Sequence, residues 1–281
     1  MATVTGFETI EVDSLTPHIG AEIGGVNLAQ PLSNEQFSEI YQAWLDWKVL
    51  VFRDQHINQE QHKSFARKFG TLHVHPMQHS YGGDPEILRI KTTKDSKYTA
   101  GNGWHTDVTC DEIPPMGSML YITETPENGG GDTLYADMYL AYDLLSDTMK
   151  EIVSGLSAIH DGAIPYMTGY GVRPPDGEKY PRNKHPMVIS HPETGKKVLF
   201  VNPGFTSHVD GMHHWESKAL LQALYDHIAM TPRLTCRIEW RPNTLTFWDN
   251  RCTQHHAVWD YWPETRYGER VSILGNQRPA A

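Results

Sequence analysis

LTCRIEWRPNTLTFW, residues 234–248, sets two β-prone runs, 234–240 and 244–248, on either side of a break that contains Pro242 and Asn243. Both runs are short and rich in Thr, Ile, Phe and Trp, the side chains that suit a pleated sheet, and Pro and Asn punctuate strands. The texture recurs outward in both directions. Segments 87–91, 117–123, 186–190 and 197–202 have the same character, separated by Gly, Pro, Asn and Asp. Residues 49–52, VLVF, form an apolar run consistent with a buried strand, and HIGAEIGGVNL at 18–28 adds short β-like pieces.

Helical patterning is sparser. Ser33 and Gln36 have capping-box spacing, and Phe37, Ile40, Tyr41, Trp44 and Leu45 follow at helical intervals. A second helix is expected from Asn58 as cap to about Lys68, with Gly70 as its stop, and others at 138–156 and 215–229. Strands outnumber helices, and the helices are too few for a βαβ alternation. The expected fold is therefore mainly β with added helices, a β-sandwich or jelly roll. The stretch 161–186 lacks periodicity and reads as a long loop, of the kind that covers a binding site or stands out as a surface insertion.

At 281 residues a single large domain over 1–281 suffices, and 39% hydrophobic with 21% charged residues is ordinary for a folded chain. A formal charge of −10 speaks against nucleic acid or anionic membranes as partners, because both need a basic surface. Cys110, Cys236 and Cys252 are odd in number and form no C-x-x-C, which suggests neither a disulfide framework nor a cysteine zinc site. The start has no secretory pattern and no window is apolar enough to span a bilayer, so a cytoplasmic protein in a reducing compartment is expected.

The chemistry is written in GWHTDVT, where His105 and Asp107 lie two apart. On a strand such residues share a face and can converge on one ion, with a third ligand from elsewhere, such as His255. Two His and a carboxylate form the facial triad of non-haem Fe(II) oxygenases. The same donors can hold Zn(II) around a hydrolytic water, and a non-catalytic binding module is a further alternative.

Six ordered pieces narrow the field: FGTLHVHP at 69–76, WHTDVT at 104–109, GGDT at 130–133, VNPGFT at 201–206, WDNRCTQH at 248–255 and DYWPETRYGER at 260–270. Together they resemble the TauD/TfdA family of Fe(II)- and 2-oxoglutarate-dependent dioxygenases. The resemblance implies a double-stranded β-helix, or jelly roll, and His105, Asp107 and His255 as iron ligands. It also implies Arg266 and Thr133 for the remote carboxylate of 2-oxoglutarate, O2 as the other co-substrate, and by analogy a homo-oligomer, dimer or tetramer. Arginine fits the carboxylate role chemically, since its planar fork donates two parallel hydrogen bonds and stays charged.

For the primary substrate the resemblance points to His75, Val108, Phe205 and Arg270, with Arg270 directed at an acidic group. Three positions depart from the family: Gln78 replaces a tyrosine, Gly101 an asparagine and Gly162 a phenylalanine, so a wider pocket is expected. The expected substrate is a small organic acid, foremost an alkylsulfonate, with hydroxylation releasing sulfite and an aldehyde alongside succinate and CO2. An aryloxyalkanoate, releasing a phenol, is the alternative within the family. Trp104, Trp248, Phe205 and Trp259 are candidates for excluding water, although core packing is the usual role of such residues.

Overall fold

The structure is a computed structural model that describes residues 1–75, 83–99, 101–169 and 171–281. Strands β1 (Ala2–Thr3), β2 (Glu11–Ser14) and β3 (Ala21–Gly24) open the chain. Helix α1 (Asn34–Trp47) begins at the predicted capping box: the Gln36 N–H donates to Ser33 Oγ at 3.0 Å, and the Ser33 N–H to Gln36 Oε1 at 3.3 Å. VLVF is β4 (Val49–Phe52), and α2 (Gln59–Arg67) starts at the Asn58 cap. The helix ends at Arg67, short of the expected Gly70 stop. Lys68 closes α2 in right-handed geometry, and Gly70 instead packs beside Ile273, where a Cβ would come within 3.1 Å of Cγ2.

Strands β5 (Leu72–His73), β6 (Leu88–Thr92), β7 (Gly117–Glu124) and β8 (Thr133–Asp137) follow. The helical pattern at 138–156 proves to be two helices, α3 (Met138–Asp143) and α4 (Asp147–Ser154), because Ser146 caps a new N-terminus by accepting from the Met149 N–H. Next come β9 (Ser157–Asp161) and β10 (Arg182–Pro186). The stretch 161–186 is thus more ordered than a loop: it holds a π-helical turn, Ile164–Gly169, and β10 pairs antiparallel with β9. RNKHP carries no apolar alternation, so that pairing leaves no mark in the sequence pattern. The chain ends with β11 (Val188–Ser190), β12 (Lys197–Leu199), β13 (Thr206–Val209), α5 (His214–Ala229), β14 (Thr235–Ile238), β15 (Thr244–Asp249), β16 (Thr253–Ala257) and β17 (Arg266–Ile273).

A nine-stranded sheet runs β1-β2-β3-β4-β15-β7-β17-β5, with β6 also on β17, and a three-stranded sheet runs β14-β8-β16. β14 and β15 are neighbours in sequence but go to different sheets. That crossing at Pro242 and Asn243 is a corner of the jelly roll the strand pattern predicted. Strand alternation then divides the large sheet into two faces. Leu50 and Phe52, Met119 and Tyr121, and Leu245 and Phe247 pack in the core beneath α1 and α2. Val49 and Val51, Leu120 and Ile122, and Trp248 face the other way, against Tyr135, Cys236 and Ile238 of the small sheet. β4, β7 and β15 are buried on both faces over the residues named, which explains why VLVF is continuously apolar. The functional site opens at one end of this sandwich.

Candidate metal centre and active site

His105 and His255 are held to each other by an antiparallel bridge: the His105 N–H donates to the His255 carbonyl at 3.0 Å and the His255 N–H to the His105 carbonyl at 2.8 Å. His255 belongs to β16, but Asp107 lies in a turn. Strand alternation is therefore not what brings Asp107 beside His105; the turn does, with Val108 at φ 50°. Nε2 of each imidazole is 3.8 Å from Asp107 Oδ1, and the three donors lie within 4.8 Å of one another, close enough to hold one metal ion. His256 faces away, with Nε2 3.3 Å from Asn102 Oδ1 and its ring against Trp104, as alternation along β16 requires.

The protonation states suit a metal. His105 Nδ1 is 2.9 Å from the Gly103 carbonyl, which places its proton there and leaves the Nε2 lone pair free. Burial lowers the pKa of His105, and burial together with the neighbouring His105 ring lowers that of His255, so both rings are neutral at pH 7. Burial works to raise the Asp107 carboxyl, but the Arg270 guanidinium, then His255 and His105, hold it well below the usual carboxylate range. Arg270 Nη1 donates to Asp107 Oδ1 at 2.6 Å, and Ser118 Oγ donates to Oδ2 at 3.0 Å.

A cavity of about 470 Å³ opens on these three residues. Arg266 and Arg270 both line it, because they stand four apart on β17 and hence on one face, roughly 13 Å along the strand. The two cations meet different surroundings. Arg266 is 3% exposed, its guanidinium lies 5.3 Å over the Trp240 ring and has a side-chain hydrogen bond with Tyr261, and among the described residues its Nε and Nη2 have no hydrogen-bond partner. No carboxylate among the described residues forms an ion pair with it. A buried cation in that state calls for an anion with paired acceptor oxygens. Thr133 lines the same end, and since its Oγ1 already accepts from Trp240 Nε1 at 3.0 Å, its own proton is free to donate. Gly131 makes room for the arginine: a Cβ there would stand 3.0 Å from Arg266 Cδ.

His75, Val108 and Phe205 line the cavity as expected. Burial, then Arg270, push His75 down to about 3, so it is a neutral imidazole. Gln78 lies outside the described residues. Gly101 lines the cavity beside the His105 ring, but Gly162 does not, and the width expected from it is absent. The Tyr166 ring fills that space, 3.0 Å from where a Gly162 Cβ would sit, and is itself part of the lining. Trp104 and Trp248 line the cavity with Phe205, whereas Trp259 does not.

No pattern in the sequence marks Tyr166, which sits in the aperiodic 161–186 stretch. Tyr135, which stacks on His255 at 5.8 Å, looks like an ordinary strand aromatic. Asn250, whose side chain bonds the backbone of Asp107, was visible inside WDNRCTQH without a role attached.

Comparison with known proteins agrees with this geometry. Residues 11–272 match the profile described as "Taurine catabolism dioxygenase TauD, TfdA family". An alkylsulfatase of Acinetobacter baylyi is 34% identical over 278 residues, covering 95% of this chain and 86% of the relative. An (S)-phenoxypropionate/alpha-ketoglutarate-dioxygenase of Sphingobium herbicidovorans is 35% identical, covering 89% and 90%. The crystal structure of a taurine dioxygenase from Burkholderia xenovorans superposes with a TM-score of 0.82 at 34% identity, covering 96% of this chain and 92% of that one. Jelly roll, two histidines with a carboxylate and a buried arginine together define an Fe(II)- and 2-oxoglutarate-dependent dioxygenase acting on a small organic molecule. Within that class the chain belongs to the TauD/TfdA family.

Proposed function

We propose that His105, Asp107 and His255 hold the Fe(II), that Arg266 and Thr133 receive the remote carboxylate of 2-oxoglutarate, and that Arg270 and His75 anchor an acidic primary substrate. The substrate we infer is an alkylsulfonate, oxidised at the carbon that bears sulfur. The observation that carries this reading is Arg266: a buried guanidinium whose Nε and Nη2 have no partner among the described residues, at the wall of the cavity lined by His105, Asp107 and His255. A zinc hydrolase would have no use for such a cation.

When bound, the iron supplies O2 activation coupled to oxidative decarboxylation of 2-oxoglutarate to succinate and CO2. The chain supplies the rest. Arg266 and Thr133 fix one end of the co-substrate, and Arg270 holds the acid group near the ligands. Val108, Phe205 and Tyr166 give an apolar wall that excludes water and steadies the alkyl body. Hydroxylation next to sulfur yields an unstable product that collapses to an aldehyde and sulfite. We read residues 1–281 as one domain, and the free, buried Cys110, Cys236 and Cys252 support a cytoplasmic setting.

Anaerobic Fe(II) with 2-oxoglutarate should give a visible absorption band that Zn(II) does not give. A coupled assay over taurine, longer alkylsulfonates and aryloxyalkanoates should then yield sulfite in step with succinate. Phenol release without sulfite would move the substrate to the aryloxy acids. No succinate above background from any acid would end the enzymatic reading.

A further inference from the structure

The turn that carries Asp107 is strained. Val108 adopts φ 50°, which a β-branched residue keeps only where its surroundings over-determine it. Those surroundings centre on Asn250, 1% exposed, just past the end of β15. The Asp107 N–H donates to Asn250 Oδ1 at 2.8 Å, and Asn250 Nδ2 donates to the Asp107 carbonyl at 3.0 Å and to the Pro115 carbonyl at 2.9 Å. One carboxamide thus clamps both backbone groups of the ligand residue and ties them to the approach of β7. Asn250 is itself fixed. Its N–H donates to the Met116 carbonyl at 3.0 Å, and the preceding Asp249 is gripped by Arg251 at 2.9 and 2.7 Å and by His191 at 3.1 Å.

We propose that Asn250 is a positioning residue of the metal centre: by clamping the Asp107 backbone it aims the carboxylate at His105 and His255, so metal affinity depends on an amide that bonds only backbone groups. This rests on the reading of those three residues as metal ligands. The side chain has little latitude. An aspartate would set carboxylate oxygens against two carbonyls, an alanine would leave three buried backbone groups unpaired, and a glutamine would carry its amide one methylene too far.

Gln55 provides a matched control. Also buried, its Oε1 accepts from the Leu28 N–H at 2.8 Å and its Nε2 donates to the Val26 and Arg53 carbonyls at 3.0 and 2.8 Å, away from the cavity lining. The test is anaerobic Co(II) titration of wild type, Asn250→Ala, Asn250→Gln and Gln55→Ala, reading affinity and the visible Co(II) spectrum, with Tm alongside. Asn250→Ala should bind Co(II) about 10- to 100-fold more weakly, the range for residues that orient metal ligands, with an altered spectrum. Gln55→Ala should lose Tm yet keep the wild-type spectrum and an affinity within about twofold. Asn250→Gln, the milder change, carries the same expectation if the alanine variant does not fold. The assignment is overturned if the Asn250 variants bind as wild type does, or if Gln55→Ala weakens binding equally. A wild type that binds no Co(II) overturns the metal reading and this assignment together.

Discussion

Arg266 and Arg270 show how far one residue type is defined by its surroundings. Both lie on the same face of β17; Arg270 has Asp107 at 2.6 Å, while Arg266 is buried with two nitrogens unpartnered. Truncating one partner of a buried, hydrogen-bonded charge pair costs about 2–5 kcal/mol, roughly 30- to several-thousand-fold in affinity. Arg266→Ala should therefore raise the KM for 2-oxoglutarate by at least about 30-fold, and Arg266→Lys should recover little, because an ammonium lacks the fork. Arg270→Ala should raise the KM for the acidic substrate and change that for 2-oxoglutarate only a few-fold. Steady-state kinetics with each substrate varied in turn separates the two; equal effects on both would refute the division of roles. Neither role could be read from charge or periodicity, since an arginine in an acidic chain pairs equally well with a surface glutamate. The ordered motif DYWPETRYGER made Arg266 legible, and the unpartnered nitrogens supply its physical reason.

At the scale of elements, what was legible depended on whether the signal is local. The starts of α1 and α2 could be placed because helix caps are short-range chemistry, and β4 because a strand buried on both faces must be apolar throughout. β10 is paired through its backbone and stayed hidden, and the break between α3 and α4 lay within a continuous apolar pattern. Removing a cap tests the first group: Ser33→Ala should cost about 1 kcal/mol, and at this chain length about 2–4 °C in Tm, with kcat unchanged. Gly268 on β17 should behave differently. A Cβ there would collide with Ile122 Cδ1 and fall 2.6 Å from the Tyr121 carbonyl oxygen, so the strand must move off β7. Gly268→Ala should cost about 1–3 kcal/mol and, because Arg266 and Arg270 ride on that strand, also impair 2-oxoglutarate binding. Calorimetry with a 2-oxoglutarate titration reads both effects; a Tm loss with wild-type affinity would show that β17 is not the ruler for the site.

For the molecule as a whole, buried histidines govern the response to acid. Burial lowers His62 to about 4 and His160 to about 3, against about 6.5 in the unfolded chain. Below pH 6.5 the unfolded chain therefore binds protons that the folded protein excludes. Stability is complete above that pH and is lost progressively as the pH falls toward the folded values. By pH 5 each such histidine should have cost about 2 kcal/mol. Tm should drop between pH 7.5 and 5, before most carboxylates titrate, and His62→Leu should remove part of that drop. A Tm flat to pH 5 would show that these rings are not neutral in the folded state.

The sequence by itself determined the strand-rich architecture, the starts of the first two helices and, through six ordered motifs, the family with its metal and co-substrate, because caps, alternation and motif order are properties of neighbours along the chain. Tertiary structure decided the rest. Asp107 reaches the histidines through a turn rather than along a strand, Tyr166 occupies the space expected beside Gly162, and Asn250 becomes a clamp. Each of these depends on which distant backbone groups must share hydrogen bonds or volume, and that is settled only when the sheets close on one another.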